Sequence, residues 1–160
     1  MKLLVLSDSH RNIRLMRQAV QQESPDAALH LGDHIDDALK LNLEFPDLVI
    51  YMVRGNCDYQ SRGKDDLFFT LNGVNVFMTH GHNYGVKRGL DSLTERARQL
   101  GADIVLYGHT HRAMVRCDDG LRIMCPGQME RQDNFHTVSY GVVTIENGSV
   151  ECELKRLELL

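Results

Sequence analysis

Hydrophobic residues in this chain come in short runs, and the spacing inside those runs switches between strand-like and helical. Residues 2–7 are mostly apolar with little alternation, which predicts a strand covered on both faces. From about Asn12, apolar Ile13, Met16 and Val20 recur at spacings of three and four. That predicts a helix with Asn12 as N-cap and Ser24-Pro25 as its stop. A second strand is predicted over 27–31, a less regular helix over about 35–45, and a third strand over 48–53. Strand, helix, strand, helix, strand implies parallel pairing through right-handed crossovers.

The pattern then changes. Residues 67–71 and 74–79 read as strands joined at Asn72-Gly73, a dipeptide favoured in type I′ hairpins. A helix over about 89–100 carries Leu90, Leu93, Ala97 and Leu100 on one stripe, with Gly101 at its C-terminal cap. A strand over 104–107 follows. The last third is predicted as strands 113–117, 121–125, 137–146 and 149–157, with turns at Asp118-Asp119-Gly120 and Asn147-Gly148. Crossovers followed by hairpins predict two packed sheets with helices outside, in one domain of 160 residues.

Composition narrows the class. Hydrophobic residues are 42% and charged residues 25%, the balance of a soluble globular protein. The net charge of −4 gives no basic footprint for nucleic acid. No apolar run approaches a membrane span, and the N-terminal run is too short for a secretory signal. Cys57, Cys117, Cys125 and Cys152 show no CxxC spacing and read as reduced thiols of a cytoplasmic protein. All but Cys57 are expected to pack as small hydrophobes.

The chemistry lies just past the strands. The first strand runs into Asp8-Ser9-His10, the second into Gly32-Asp33, and the third into Gly55-Asn56-Cys57-Asp58. The strand at 74–79 runs into His80-Gly81-His82, and the strand at 104–107 into Gly108-His109-Thr110-His111. In sheets with crossovers, ligands gather at the carboxyl ends of strands, so these groups should converge. The donors are mixed oxygen and nitrogen, which suits Mn, Fe, Zn, Co or Ni. Seven candidates (Asp8, His10, Asp33, Asn56, His80, His109 and His111) exceed one tetrahedral site. They would serve two ions if one carboxylate bridged them.

The ordered set D-x-H, G-D, G-N-x-D, H-G-H and G-H-x-H resembles the calcineurin-like metallophosphoesterases over essentially the whole chain. Gly55-Asn56-Cys57-Asp58 and Thr79-His80-Gly81-His82 are similar to the small phosphodiesterase branch of that family. The resemblance implies a four-layer αββα sandwich of two mixed sheets flanked by helices. It implies a phosphodiesterase with two divalent ions, manganese first, and a metal-bridging hydroxide as nucleophile. One ion would take Asp8, His10, Asp33 and His111, and the other Asp33, Asn56, His80 and His109. It implies a small phosphate-ester substrate, no membrane, and self-association as a dimer or tetramer.

Many members of the wider family carry histidine where this chain has Cys57. A thiol is a weak donor, so His82 becomes the expected general acid, with Cys57 and Asp58 as further active-site candidates. Two other functions fit the same motifs: a Vps29-like non-catalytic scaffold, and a phosphomonoesterase or nucleotidase.

Several residues carry plainer readings. Asp8 and Asp33 could be helix N-caps, and Asp36 and Asp37 are expected to cap the second helix. Asp58 is expected to orient its neighbours, and His30 to be a histidine of the sheet core. His34 could line the site or be solvated. Arg54, Arg62, Lys87, Arg88, Arg131 and His136 are candidates for substrate contact. Pro126-Gly127-Gln128 resembles the family's N-P-G-S loop, with Cys125 and Gln128 replacing its asparagine and serine.

Overall fold

The structure is a computed structural model and describes residues 1–130 and 137–158. The first sheet contains β1 (Lys2–Leu6), β2 (Ala27–His30), β3 (Val49–Met52), β9 (Ser139–Glu146) and β10 (Ser149–Arg156), in the order β10-β9-β1-β2-β3. Strands β1, β2 and β3 pair parallel, and the β9–β10 hairpin adds antiparallel beside β1. The second sheet contains β4 (Asp66–Leu71), β5 (Val74–Thr79), β6 (Ile104–Leu106), β7 (Met114–Asp118) and β8 (Leu121–Cys125), in the order β4-β5-β6-β8-β7. Its centre, β5, β6 and β8, is parallel and its two edges are antiparallel. Both sheets are therefore mixed, as expected from crossovers early and hairpins late.

Three apolar layers hold the stack. Leu3, Val5 and Leu29 of the first sheet meet Val76, Ile104 and Leu106 of the second in the central core. Helix α1 (Ile13–Glu23) covers the outer face of the first sheet with Leu15, Met16 and Ala19, joined by Leu41 of α2 (Ile35–Glu44). Helix α3 (Asp91–Leu100) covers the second sheet with the predicted stripe of Leu90, Leu93, Ala97 and Leu100. The nearly unbroken apolar run of β1 follows from its position between two buried layers.

Several local expectations need correction. Asn12 sits at the N-cap of α1, but its side chain makes no capping hydrogen bond. His34, not Asp36 or Asp37, occupies the N-cap of α2. Asp37 is buried and accepts from Ser9 Oγ (2.8 Å) and the Arg11 backbone N–H (2.7 Å), so it fastens the loop after β1. Neither Asp8 nor Asp33 occupies a helix N-cap. Cys117 is exposed on the edge strand β7, so only Cys125 and Cys152 of the three pack inward. A short 3₁₀ turn, His82–Tyr84, follows β5 and carried no periodic signal. The hairpin turns Asn72-Gly73, Asp119-Gly120 and Asn147-Gly148 have positive φ at both central residues, as a type I′ turn requires.

Candidate metal centre

Three of the strands that run out toward the site, β1, β2 and β6, lead into non-glycine residues with an unusual backbone. Asp8, His10, Asp33, His109 and His111 all have left-handed φ, between 43° and 69°. For non-glycine residues this costs about 1 kcal/mol or more each. The other such residues are Arg11 and His34 beside the cluster, and Ser24, Asn72, Asp119 and Asn147 at a helix cap and hairpin turns. Outside caps and turns, then, the strain among the described residues gathers at one place.

Two glycines allow the close approach. A Cβ on Gly55 would lie 2.1 Å from Asp33 Oδ1, and one on Gly108 would lie 2.0 Å from Ser7 Oγ and 3.0 Å from Asp8 Oδ2. Their missing side chains let the third and sixth strands' loops press against the two carboxylates. Those carboxylates are buried. Asp8 Oδ2 accepts from Ser7 Oγ at 2.5 Å and from the His109 N–H at 3.2 Å, while Oδ1 lies 3.0 Å from His111 Nε2. Burial by itself would raise the Asp8 carboxyl. The His111 hydrogen bond, the His80 charge and the Ser7 hydroxyl outweigh it and hold Asp8 below the ordinary carboxylate range. Reciprocally, the bond to Asp8 raises His111.

Asp33 divides its two oxygens. Oδ1 accepts from the Cys57 N–H at 2.9 Å and lies 3.5 Å from His80 Nε2. Oδ2 lies 3.9 Å from His10 Nε2. One carboxylate thus faces two different groups of imidazoles.

His80 is fully buried, and its Nδ1 lies 2.7 Å from the Leu31 carbonyl. That carbonyl can only accept, so Nδ1 carries a proton and Nε2 is the ring atom turned toward the cluster. Nε2 faces Asn56 Oδ1 at 3.0 Å as well as the Asp33 oxygen. His10 Nε2 is buried with no hydrogen-bond partner. It faces Asp8 Oδ1 at 4.0 Å, Asp33 Oδ2 at 3.9 Å and Glu130 Oε2 at 4.0 Å. Ligand atoms of Asp8, His10, Asp33 and His111 all lie within 4.8 Å of one another. Two carboxylates and two imidazoles gathered this closely form a ligand set that fits a divalent cation, and its nitrogen and oxygen atoms suit a transition metal.

His109 places its ring 5.0 Å from that of His80, and burial with the His80 charge pushes it down to about 4. His82 sits 5.4 Å, ring to ring, from His80, with Nδ1 buried and unpartnered. Burial and the His80 charge lower it. The Cys57 thiol is pushed up to about 11, by burial and then by the Asp33 charge, so it stays protonated near neutrality. Asp58 does not face the cluster with a spare oxygen. Oδ1 accepts from the Ile35 N–H at 3.0 Å and Oδ2 from the Gly55 N–H at 2.8 Å, which ties the loop to α2.

His30 is the core histidine expected. It meets Ser9 Oγ through Nε2 at 3.0 Å, and burial lowers it to about 4. Arg54 is engaged by Asp65 rather than open to a phosphate. Arg131 and His136 lie outside the described residues. Two residues near the cluster escaped the sequence reading. Asp37 looks like an ordinary first-turn acid, and only tertiary contact shows it holding Ser9 and Arg11. Glu130 has no motif spacing to mark it, and follows the Pro126-Gly127-Gln128 loop by two residues.

A profile of the calcineurin-like phosphoesterase superfamily domain matches residues 1–148. The chain is 35% identical over 150 residues to the "Probable metallophosphoesterase YsnB" of Bacillus subtilis, covering 92% of this chain and 86% of that protein. It is 25% identical over 146 residues to the "Phosphodiesterase MJ0936" of Methanocaldococcus jannaschii, covering 80% and 84%. Among solved structures, a predicted phosphoesterase from Streptococcus pneumoniae superposes with TM-score 0.80 at 23% identity, covering 97% of this chain and 88% of that one. A Vps29 mutant from Entamoeba histolytica superposes with TM-score 0.76 at 20% identity, covering 99% and 100%. These two likenesses speak to the fold.

Proposed function

The chain belongs to the calcineurin-like phosphoesterase superfamily, and from that premise we propose that it hydrolyses phosphate diesters using two divalent metal ions. One ion would be held by Asp8, His10, Asp33 and His111, the other by Asp33, Asn56, His80 and His109. The observation that carries this reading is the division of Asp33, whose Oδ1 faces His80 while Oδ2 faces His10. When bound, the ions would supply Lewis acidity toward the phosphoryl oxygens and make water more acidic. Manganese is the ion proposed first, and nickel, zinc, iron or cobalt suit the same donors.

The chain's own residues have separable tasks. The Leu31 carbonyl fixes the His80 tautomer, so that Nε2 is left to coordinate. The Cys57 N–H orients Asp33, and Asp58 positions the Gly55 loop beneath it. A cleft of about 440 Å³, lined by Arg11, His34, Cys57, Tyr59 and Ser61 among others, opens beside the cluster. His34 links the two, its ring 5.0 Å from that of His10. This cleft is the place for one arm of the ester. His82 is the group proposed to protonate the leaving oxygen. Burial pushes its titration down, which disfavours the protonated form, so esters with good leaving groups should react best.

A cytoplasmic location and a homo-oligomer belong to the same reading. The cysteines are free, which is compatible with a reducing compartment. Among the described residues no helix is long and apolar enough to cross a membrane.

The test is hydrolysis of bis(p-nitrophenyl) phosphate and p-nitrophenyl phosphate by metal-stripped protein, with and without Mn²⁺, beside Asp33→Ala. The diester should be preferred, activity should need the metal, and Asp33→Ala should lose it by at least ~10²-fold while remaining folded. A preference for the monoester would make this a phosphomonoesterase. The likeness to Vps29 supports a second reading, a scaffold without catalysis. Wild-type protein that takes up no metal and cleaves neither ester would favour it.

A further inference from the structure

We propose that Glu130 is a third carboxylate ligand of the His10-side ion, an inference that rests on the dinuclear reading above. The segment before it is pinned beside the end of β1. The Met129 N–H donates to the Ser7 carbonyl at 3.0 Å, the Ser139 N–H donates to the Gln128 carbonyl at 3.0 Å, and Gln128 pairs with Val138. This insertion between β1 and β9 brings Glu130, only 27% exposed, to His10.

Distance to His10 Nε2 does not separate Glu130 from the carboxylates that the family motifs supply, although Glu130 falls outside the group of Asp8, His10, Asp33 and His111 whose ligand atoms all lie within 4.8 Å of one another. Its Oε2 lies 4.0 Å away, against 4.0 Å for Asp8 Oδ1 and 3.9 Å for Asp33 Oδ2. The nitrogen at the centre is buried and without a hydrogen-bond partner. Three segments of chain thus bring carboxylate oxygens to one imidazole nitrogen.

With Glu130 the His10-side ion has carboxylates from Asp8, Asp33 and Glu130 and imidazoles from His10 and His111. The other ion has a single carboxylate, Asp33, with Asn56, His80 and His109. Five donors exceed the four of a tetrahedral zinc site, and an oxygen-rich set favours a harder ion. The two positions are therefore unequal, and the His10 side discriminates against Mn²⁺ relative to Zn²⁺ less than its neighbour does.

Calorimetric titration of metal-stripped wild type, Glu130→Gln and Glu130→Asp with Mn²⁺ and with Zn²⁺ tests this, with bound Mn²⁺ followed by electron paramagnetic resonance. Wild type should bind two Mn²⁺. Glu130→Gln should weaken one of them at least tenfold, leave the other within twofold, and lower the Mn²⁺ affinity more than the Zn²⁺ affinity at the weakened position. Glu130→Asp, which keeps the charge with a shorter reach, should weaken the same position by less. Circular dichroism of the metal-free proteins checks that all three are folded. Wild-type affinity for both ions in Glu130→Gln and Glu130→Asp overturns the proposal. Wild-type protein that binds no Mn²⁺ overturns the dinuclear reading itself, which is a different result.

Discussion

Two of the places where this molecule buries carboxylate charge treat it in opposite ways. Behind α1, Glu23 is 4% exposed and fully answered. Tyr140 Oη donates to it at 2.7 Å and Lys155 Nζ at 3.1 Å to each oxygen, with Lys2 Nζ 3.8 Å away. At the strand ends, Asp8 and Asp33 are just as buried, but much of what they face consists of imidazole nitrogens able to serve as metal ligands. The first cluster closes on itself and ties β10, β9 and β1 to the end of α1. The second gathers metal-ligand atoms around its carboxylates, a set that fits a cation. A buried charge closed off by its own ion pairs reports on stability, whereas one set among ligand atoms reports on chemistry.

The sharpest way to break the second cluster while sparing the first is Gly55→Ala. The new Cβ would fall 2.1 Å from Asp33 Oδ1 and 2.5 Å from its backbone nitrogen, so the carboxylate must move. Loss of phosphoesterase activity by ~10²-fold or more is expected, with ~1–3 kcal/mol of overpacking cost. Gly89→Ala is the control, because a Cβ there meets nothing within 4 Å. Activity assays and thermal melts of both variants make the measurement. An active Gly55→Ala would mean that the position of Asp33 is not critical.

Glu23→Gln should do the reverse, and by a moderate amount. It keeps the shape and an acceptor for Tyr140 but removes the charge facing Lys155 and Lys2. Because both lysines are partly exposed, the expected loss is about 2 kcal/mol, or roughly 6 °C in Tm, with activity at 25 °C unchanged. Its pH dependence has a definite sign. Burial would raise Glu23, but the Tyr140 hydrogen bond and the two lysines outweigh it, so the folded carboxyl titrates below its ordinary value of 4.5. Its stabilising contribution is therefore present above that value and is lost as pH falls through the lower, folded one. The gap in Tm between wild type and Glu23→Gln should narrow as acid is added. A gap that stays constant would assign the effect to shape, not to charge.

The contrast between the clusters also explains what could be read in advance. The strand-end motifs are local: Asp8-Ser9-His10 and His109-Thr110-His111 each sit within three residues, and the parallel order of β1, β2 and β3 carries the first three to one edge. Hairpin turns were legible for the same reason, since Asn72-Gly73 and Asn147-Gly148 encode their own φ. What stayed hidden depends on pairing across the fold. Glu23 and Tyr140 are 117 residues apart. Asp37 was indistinguishable from a helix-capping acid until Ser9 and Arg11 were placed against it. Glu130 needed the insertion of Gln128 and Met129 beside β1 before it could be set near His10.

The smallest effect is expected at Cys57, the position where this chain departs from the histidine of the wider family. What residue 57 gives the site is its backbone: the N–H holds Asp33 Oδ1 at 2.9 Å. Its side chain is exposed, and Sγ accepts a long contact of 3.7 Å from Asn56 Nδ2 and lies beside the Asp33 carboxylate. The thiol is pushed up to about 11, so near neutrality it is neither a thiolate nucleophile nor a ready proton donor. Cys57→Ser keeps the N–H and a small hydroxyl in the same place. It should leave hydrolysis of an aryl diester within about threefold of wild type, a change below ~1 kcal/mol in the barrier. Cys57→Pro removes the N–H that orients Asp33 and should be far worse. If Cys57→Ser instead loses more than tenfold, and loses most against alkyl esters whose leaving oxygen needs a proton, the thiol rather than His82 is delivering it.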